Sequence, residues 1–449
     1  MSLQIEQLVN DIKKIASNLN IEKFDIFGTE KEESSASAKD KKPFSLTSSI
    51  RSSLILRVWN KNQQMGVTRT SNLTTEGLTE AFELAKSSAE FGSLENIYEF
   101  SPECQSETKQ NQEKKEIKDL TPIQALMQGA ISAEEKILNA SIDFKSVPYN
   151  KVSEAKSLRF YFNSEGAVKM EENQISLCYF YPLAHAKDKK PRQSGHVEIA
   201  SSFANLNILS CAEKAIKKTN DHLNYASIKN GKYPVVFSPE AFLDLINAFA
   251  NFMNAQNILD KKSLCHQNSI GQTLATNDFC LIDSPLHPQN LSKSYFDEEG
   301  TPTRELTIIE NGVLKNFIHS SYTAKKMGYE VTGHANIGAK VTVSPHFLHI
   351  KRSHKNIEKK DYLNENNLIY IESVSALHAG VNELQGSFSL PFDGFFINDK
   401  QKVSIEAATV AGDFLSLLKD ICYIDDEEVV VPNGISPTVW IKSLSITGL

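Results

Sequence analysis

The sequence predicts an α+β protein, with an N-terminal α/β region followed by a larger C-terminal domain of antiparallel strands and hairpins packed with helices. Three observations carry this expectation. An apolar strand, Tyr233–Phe237, runs directly into the stretch Ser238–Asp260, where Phe242, Leu245, Ile246, Phe249, Phe252 and Met253 recur at helical spacing. Beyond it the pattern turns to strands: Thr307–Phe317 carries Asn311-Gly312, the strongest short signal for a type I′ hairpin, and Gly394–Ile405 turns at Asn398-Asp399. At 449 residues the chain also exceeds one ordinary core, so two or three domains are expected.

In order, Leu8, Ile12, Ile15 and Leu19 mark an amphipathic first helix; with acids throughout and no continuous apolar run, it is not a secretory signal. Lys23–Gly28 reads as a strand, and polar Glu30–Ser45 as an exposed edge or loop. Ser53–Trp59 is an apolar strand for Gln64–Thr70 to pair with, and Thr74 caps a helix that buries Leu78, Phe82 and Ala85 and ends near Gly92. Residues 1–100 thus read as an N-terminal α/β unit, and the charged segment 101–119 as a linker. Thr121 begins a helix, with Pro122 in its first turn and Gln124 completing a capping box. Strands such as Leu158–Phe162, the turn Asn163–Gly166, a solvated basic loop Lys187–Ser194 and the helix Ala204–Asp221 make 120–229 a middle α+β region. The C-terminal domain takes 230–449. Ser238 caps its central helix and Pro239 suits the first position; Ser321–Met327 closes at Gly328; Ala411–Ile421 turns Phe414, Leu417 and Leu418 inward; Val439–Thr447 alternates as a strand.

Several function classes are excluded at this level. The net charge of −7, without a dense basic cluster, argues against nucleic acid as a partner. No run approaches the roughly 18 apolar residues of a membrane span. The six cysteines (Cys104, Cys178, Cys211, Cys265, Cys280, Cys422) form no CxxC pair, as expected of reduced thiols in the cytoplasm. Gly333–Thr342 resembles a phosphate loop, but Ala339 displaces Lys340 from its place after the second glycine, and no GxSxG elbow is present. His346 and His349, three apart on a strand, point to opposite faces and read as exposed or hydrogen-bonded rather than as partners on one metal. Adjacent Cys265 and His266 would chelate badly.

The segments RVWNKNQQMGVTRTSNLTTEGL, NSEGAV, KYPVVFSPEAFLDL, FDEEGTPTRELTIIENGVLKNFIHSSYTAKKMG, VTGHAN and TVAGDFLSLL, running in that order from Arg57, resemble the TldD/PmbA family of U62-like peptidases, also described as modulators of DNA gyrase. The resemblance implies that active members hold zinc through an HExxxH motif on the helix after the PVV strand, plus a downstream cysteine. In this chain Asn247 stands for the first histidine, Ala248 for the glutamate that activates water and Phe252 for the second histidine. An amide is a poor zinc ligand, a phenyl ring is none, and alanine cannot take a proton. Cys422 falls loosely where the cysteine ligand would, and reads as a buried thiol.

The resemblance is therefore to the TldE/PmbA side of the family, and implies a cytoplasmic, non-catalytic subunit without a metal of its own. Its partner would be a TldD-like paralogue bearing zinc, its substrate unfolded peptide, and its state alone a homodimer. A stand-alone peptidase with an unrecognised metal site, or a module acting on gyrase, are the alternatives. Asp297, Glu298 and Glu299 before Gly300, with Arg304 beyond, form either a turn braced by an acid–Arg pair or a cleft rim for peptide or partner. Gly333 and Asn336 supply exposed backbone and an amide for strand-like capture, and Asn382 and Gly386, with Gly380, form a similar loop.

Overall fold

A computed structural model describes residues 5–92, 99–107, 117–338, 340–353, 367–398 and 401–448. Among the described residues the strands fall into a seven-stranded sheet, a thirteen-stranded sheet and a two-stranded ribbon. The chain is α+β, as expected from its mixture of hairpins and helices.

The first sheet is built from β1 (Lys23–Lys39), β2 (Lys42–Trp59), β3 (Met65–Thr70), β4 (Phe144–Asn163), β5 (Val168–Ala184), β6 (Arg192–Gln193) and β7 (His196–Ala200). Its order is β3-β2-β1-β4-β5-β6, with β7 also on β5, and every pairing is antiparallel. It draws strands from both sides of the segment 101–119, of which 108–116 lie outside the described residues. One face is covered by α1 (Ile5–Asn18), α2 (Thr75–Ala89), α3 (Ile123–Ala140) and α4 (Ile208–Asp221). Phe24, Ile26, Leu56, Phe160 and Phe162 close on α1 and α2, while Ala36, Val152, Cys178 and Phe180 close on α3 and α4.

Three local expectations are corrected here. Of the exposed edge or loop expected for Glu30–Ser45, the loop does not form: the segment lies within the long β1–β2 hairpin, with Lys42–Ser45 on an exposed edge, and Lys39 pairs Lys42 across Asp40 and Lys41, both left-handed with φ of 54° and 59°, a type I′ turn. The buried positions there are small, Ala36 and Ala38, so no bulky alternation announced the strand. The capping box at Thr121 does not form. Its backbone N–H goes to Glu154 Oε2 at 2.6 Å, and Pro122 stands at the cap of α3 instead of in its first turn. Nor is the basic loop 187–194 simply solvated: Arg192 donates to the Ile405 carbonyl at 2.9 Å and to that of Glu406, tying the first sheet to the second.

In the second sheet, Gly231–Phe237 runs parallel to Leu368–Val374 and antiparallel to Gly434–Gly448. Glu310 pairs Val313 across Asn311 and Gly312 (φ 51° and 75°), the expected type I′ turn. The helix Ser321–Met327 is capped by Ser320 and closes at left-handed Gly328. Asn398 pairs Gln401 in the other hairpin; the expected turn residue Asp399 lies outside the described residues. The last helix is confined to Phe414–Lys419, because Ala408–Asp413 pairs as a strand with Ser387–Phe392; Phe414, Leu417 and Leu418 do turn inward.

The central helix is broken, which corrects the single span Ser238–Asp260. α5 (Pro239–Ala248) is followed by a 3₁₀ turn, Ala250–Phe252, and by α6 (Ala255–Leu259). Ser238 accepts from Ala241 N and Pro239 opens α5, as the sequence implies. The break has two causes. Asn254 caps α6 with its carbonyl oxygen and donates to Val343 O at 2.7 Å, so its side chain competes for the backbone. Met253 O and Ala255 N then bond Ile318, in a step of strand-like pairing that a continuous helix forbids. The apolar stripe survives the break, because Phe249, Phe252 and Met253 stay fully buried.

Candidate functional site

Asn247, Ala248 and Phe252, onto which the resemblance maps the zinc motif, sit at this break. Asn247 and Ala248 end α5, half-buried. Phe252 lies in the 3₁₀ turn and packs into the core, its ring centroid 5.8 Å from that of Phe414, which stacks on Phe249 at 4.3 Å. Phenyl, methyl and a single amide make no tetrahedral donor set, so this position does not fit a zinc ion. Cys422 lies half-buried on the strand Ile421–Val431, its Sγ 3.5 Å from Trp440 O.

The acidic turn is built by strand alternation. Because Phe24, Ile26, Leu56 and Val58 face the helices, Asp25 and Arg57 between them face the C-terminal domain, paired across β1 and β2. Arg57 holds Asp25 with bonds of 2.5 and 2.8 Å and reaches Glu299 Oε1 at 3.0 Å. Tyr161 donates to Asp25 at 3.2 Å. Glu299 Oε2 accepts Ser321 N at 2.9 Å at the start of the next helix. Asp297 accepts the N–H groups of Glu299, Thr301 and Ala335, each at 2.9 Å, and Glu298 accepts Ile337 N at 2.6 Å. Burial works against the Arg57 charge, but the Asp25 and Glu299 carboxylates overcome it and hold the guanidinium protonated. Burial raises Asp25, and with the Glu299 charge it pushes Asp297 up to about 7 against the three N–H donors. Gly300 is required: its φ is +75°, and a Cβ there would lie 2.4 Å from the Tyr161 ring.

The arginine that braces this turn is Arg57, not Arg304. Arg304 instead pairs Glu103 at 2.8 Å and donates to Val331 O at 2.7 Å. Asp297, Glu299, Gly300 and Gly333 are buried, with Glu298, Arg304 and Asn336 partly so, and the loops bearing them dock on one another. Asn382 and Gly386 belong to a separate loop, exposed at Asn382, where Asn251 donates to Glu383 O at 3.0 Å. At another seam between the two sheets, a cavity of about 590 Å³ is lined by Tyr181, Glu198, Glu240, Phe347, Tyr370 and Val430, among others. None of the candidate residues lines it.

Sequence reasoning missed a further cluster. Asp283, at the end of the strand Phe279–Asp283, lies 2.7 Å from His334 Nε2 and accepts Phe347 N at 2.7 Å. Burial opposes its charge, but the bond from His334 outweighs that and holds its carboxyl below the usual range. His346 Nε2 meets Gly333 O at 2.8 Å, and burial pushes the imidazole down to about 4. His349 goes elsewhere, to Glu428 at 2.9 Å.

With this geometry in place, the comparisons with known proteins are direct. The family model for the PmbA/TldA metallopeptidase C-terminal domain matches residues 230–448, and that for domain 1 of the same group matches 24–89. A "Metalloprotease PmbA homolog" of Haemophilus influenzae is 22% identical over 330 residues, spanning 72% of this chain and 68% of that protein. A "Zinc metalloprotease TldD homolog" of Saccharolobus solfataricus is 32% identical over 122 residues, 26% of this chain and 27% of that one. The fold is shared with TldE from Thermococcus kodakarensis (TM-score 0.81, 20% identity, 99% and 100% of the two chains). It is also shared with a Thermotoga maritima protein named for modulation of a DNA gyrase (TM-score 0.84, 23% identity, 99% and 100%). Among the described residues no helix is long and apolar enough to cross a membrane. Two domain matches in family order, on a fold that coincides over nearly its whole length, establish that the chain belongs to the TldD/PmbA family.

Proposed function

We propose that the chain is a TldE-like subunit of a TldD/TldE-type metallopeptidase complex. It holds no zinc at its central helix, cleaves no peptide alone, and pairs in the cytoplasm with a TldD-like paralogue whose zinc does the chemistry. Its contribution is to hold or enclose unfolded peptide, and without the paralogue it self-associates as a homodimer. The observation that carries this reading is the replacement of every zinc-motif side chain at 247, 248 and 252 by groups that neither ligate nor take a proton, with Phe252 committed to the core. The named TldE likeness in fold supports it.

The experiment is reconstitution. The pure chain and a TldD-like paralogue from the same cell are assayed separately and mixed, on an unstructured peptide. The proposal expects hydrolysis only from the mixture, abolished by changing the paralogue's HExxxH and unaffected by Asn247→Ala. Hydrolysis by the chain alone would overturn it.

A further inference from the structure

Away from the broken helix, one set of donors converges among the described residues. Asp283 ends its strand, His334 precedes the ribbon strand Ala335–Asn336, and His346 follows its partner strand Thr342–Val343. Their ligand atoms all lie within 4.8 Å of one another. We propose that Asp283, His334 and His346 form a divalent transition-metal site of the zinc class that fastens the loop 332–346 onto the strand Phe279–Asp283.

The first argument is hydrogen-bond valence. Thr332 Oγ1 accepts His319 N at 2.7 Å and carries one proton, which points to His319 O at 3.1 Å. His334 Nδ1 lies 2.9 Å from that hydroxyl, which anchors the ring. His334 Nε2 faces Asp283 Oδ2 at 2.7 Å, and a metal entering here takes the place of the proton that these two atoms share. The third ligand is prepared in the same way. The Gly333 carbonyl can only accept, so His346 Nε2 donates to it at 2.8 Å and Nδ1 keeps its lone pair.

Orientation and donor chemistry agree. Phe347 N at 2.7 Å holds Asp283 Oδ1, and His346 N is shared between Oδ1 at 3.1 Å and Oδ2 at 3.2 Å, which fixes the carboxylate with Oδ2 toward His334. Atoms 2.7 Å apart can share one ion at roughly 2.0–2.2 Å each, in a compact arrangement. Two imidazoles and one carboxylate suit zinc and its neighbours better than calcium or magnesium, which prefer oxygen. Asp283 and His334 are fully buried and His346 half-buried, so the open side of the site lies at His346.

The test uses the full chain alone. After chelator treatment it is incubated with Zn²⁺, desalted, and analysed for metal, with calorimetric Zn²⁺ titration and thermal unfolding alongside. The expected result is about one zinc per chain and a zinc-dependent rise in melting temperature. His334→Gln keeps an N–H for Asp283 but offers no imidazole lone pair. It should fold, with metal-free stability close to the parent, and lose both zinc and the rise in melting temperature. His346→Gln should weaken zinc binding at least about tenfold. Asn247→Ala should keep the zinc, which separates this site from the family position. A parent chain that retains no zinc would overturn the proposal, as would zinc kept at the parent level in His334→Gln and His346→Gln, or loss of zinc in Asn247→Ala.

Discussion

Replacing Arg57 with Met removes the only cation that bonds both Asp25 and Glu299 among the described residues, at 2.5 and 3.0 Å. Arg57 is 4% exposed, Asp25 0% and Glu299 4%, so water cannot take over the lost bonds. Breaking a buried pair from one side costs about 3–5 kcal/mol, because a charge is left without compensation. Two carboxylates are stranded here, which places the expected loss at the upper end of that range. Most of that cost is uncompensated charge rather than lost attraction. The triple variant Arg57→Met with Asp25→Asn and Glu299→Gln should therefore recover at least about half of it. Urea unfolding measures both. Trp59 beside Arg57 and Trp440 in the second sheet are the two tryptophans of the chain, and single Trp→Phe variants let each half be read separately. Both signals should shift, since the guanidinium joins β2 to the turn whose Glu299 also bonds the start of Ser321–Met327. A loss under about 1 kcal/mol, as for an exposed pair, or a triple variant no more stable than the single one, would refute the reasoning.

Three further outcomes are expected. Phe252→Ala should cost about 3–5 kcal/mol in chemical denaturation, since the ring is fully buried against Phe414; a cost below about 1 kcal/mol would contradict its placement in the core. Gly300→Ala should cost about 2–4 kcal/mol, from a left-handed backbone and a Cβ 2.4 Å from Tyr161, whereas Gly166→Ala, at φ +97° with no heavy atom within 4 Å, should cost less. Hydrogen bonds from Lys151 and Lys31 lower Glu33 to about 2, so its contribution is present above its unfolded pKa near 4.5 and is lost as pH falls through about 2. Because Glu33 and its lysines are partly exposed on the sheet surface, solvent screening holds that contribution under about 1 kcal/mol, and Glu33→Gln should flatten the stability profile between pH 5 and pH 2 by that amount.

Features encoded locally were legible in the sequence. Asn311-Gly312 announced its turn because both residues tolerate φ > 0, whereas Asp40-Lys41 makes the same turn with a lysine that carries no such signal. Periodicity over-read the central helix: a 3₁₀ turn and a short second helix keep Phe252 and Met253 inward, so the stripe runs on through the break. The asparagines at 251 and 254 were the available clue. The expectation that Asn247, Ala248 and Phe252 offer zinc no donor set came from the family resemblance together with side-chain chemistry. The Arg57 brace could not, since Arg57 and Glu299 are 242 residues apart and only the pairing of the first sheet against the second domain joins them. Asp283, His334 and His346 meet through pairing within the C-terminal domain, and reading His346 and His349 as one strand gave no hint of it, since the strand begins at Leu348 and His346 lies before it.

The most direct test of the functional account is peptide hydrolysis by the chain reconstituted with a TldD-like paralogue, measured against each component alone while the mass of the assembly is followed. The account predicts a stable hetero-complex, activity in the mixture only, and complete loss when the paralogue's zinc-binding histidines are replaced. Undiminished cleavage with that crippled paralogue, or turnover by this chain alone, would contradict it.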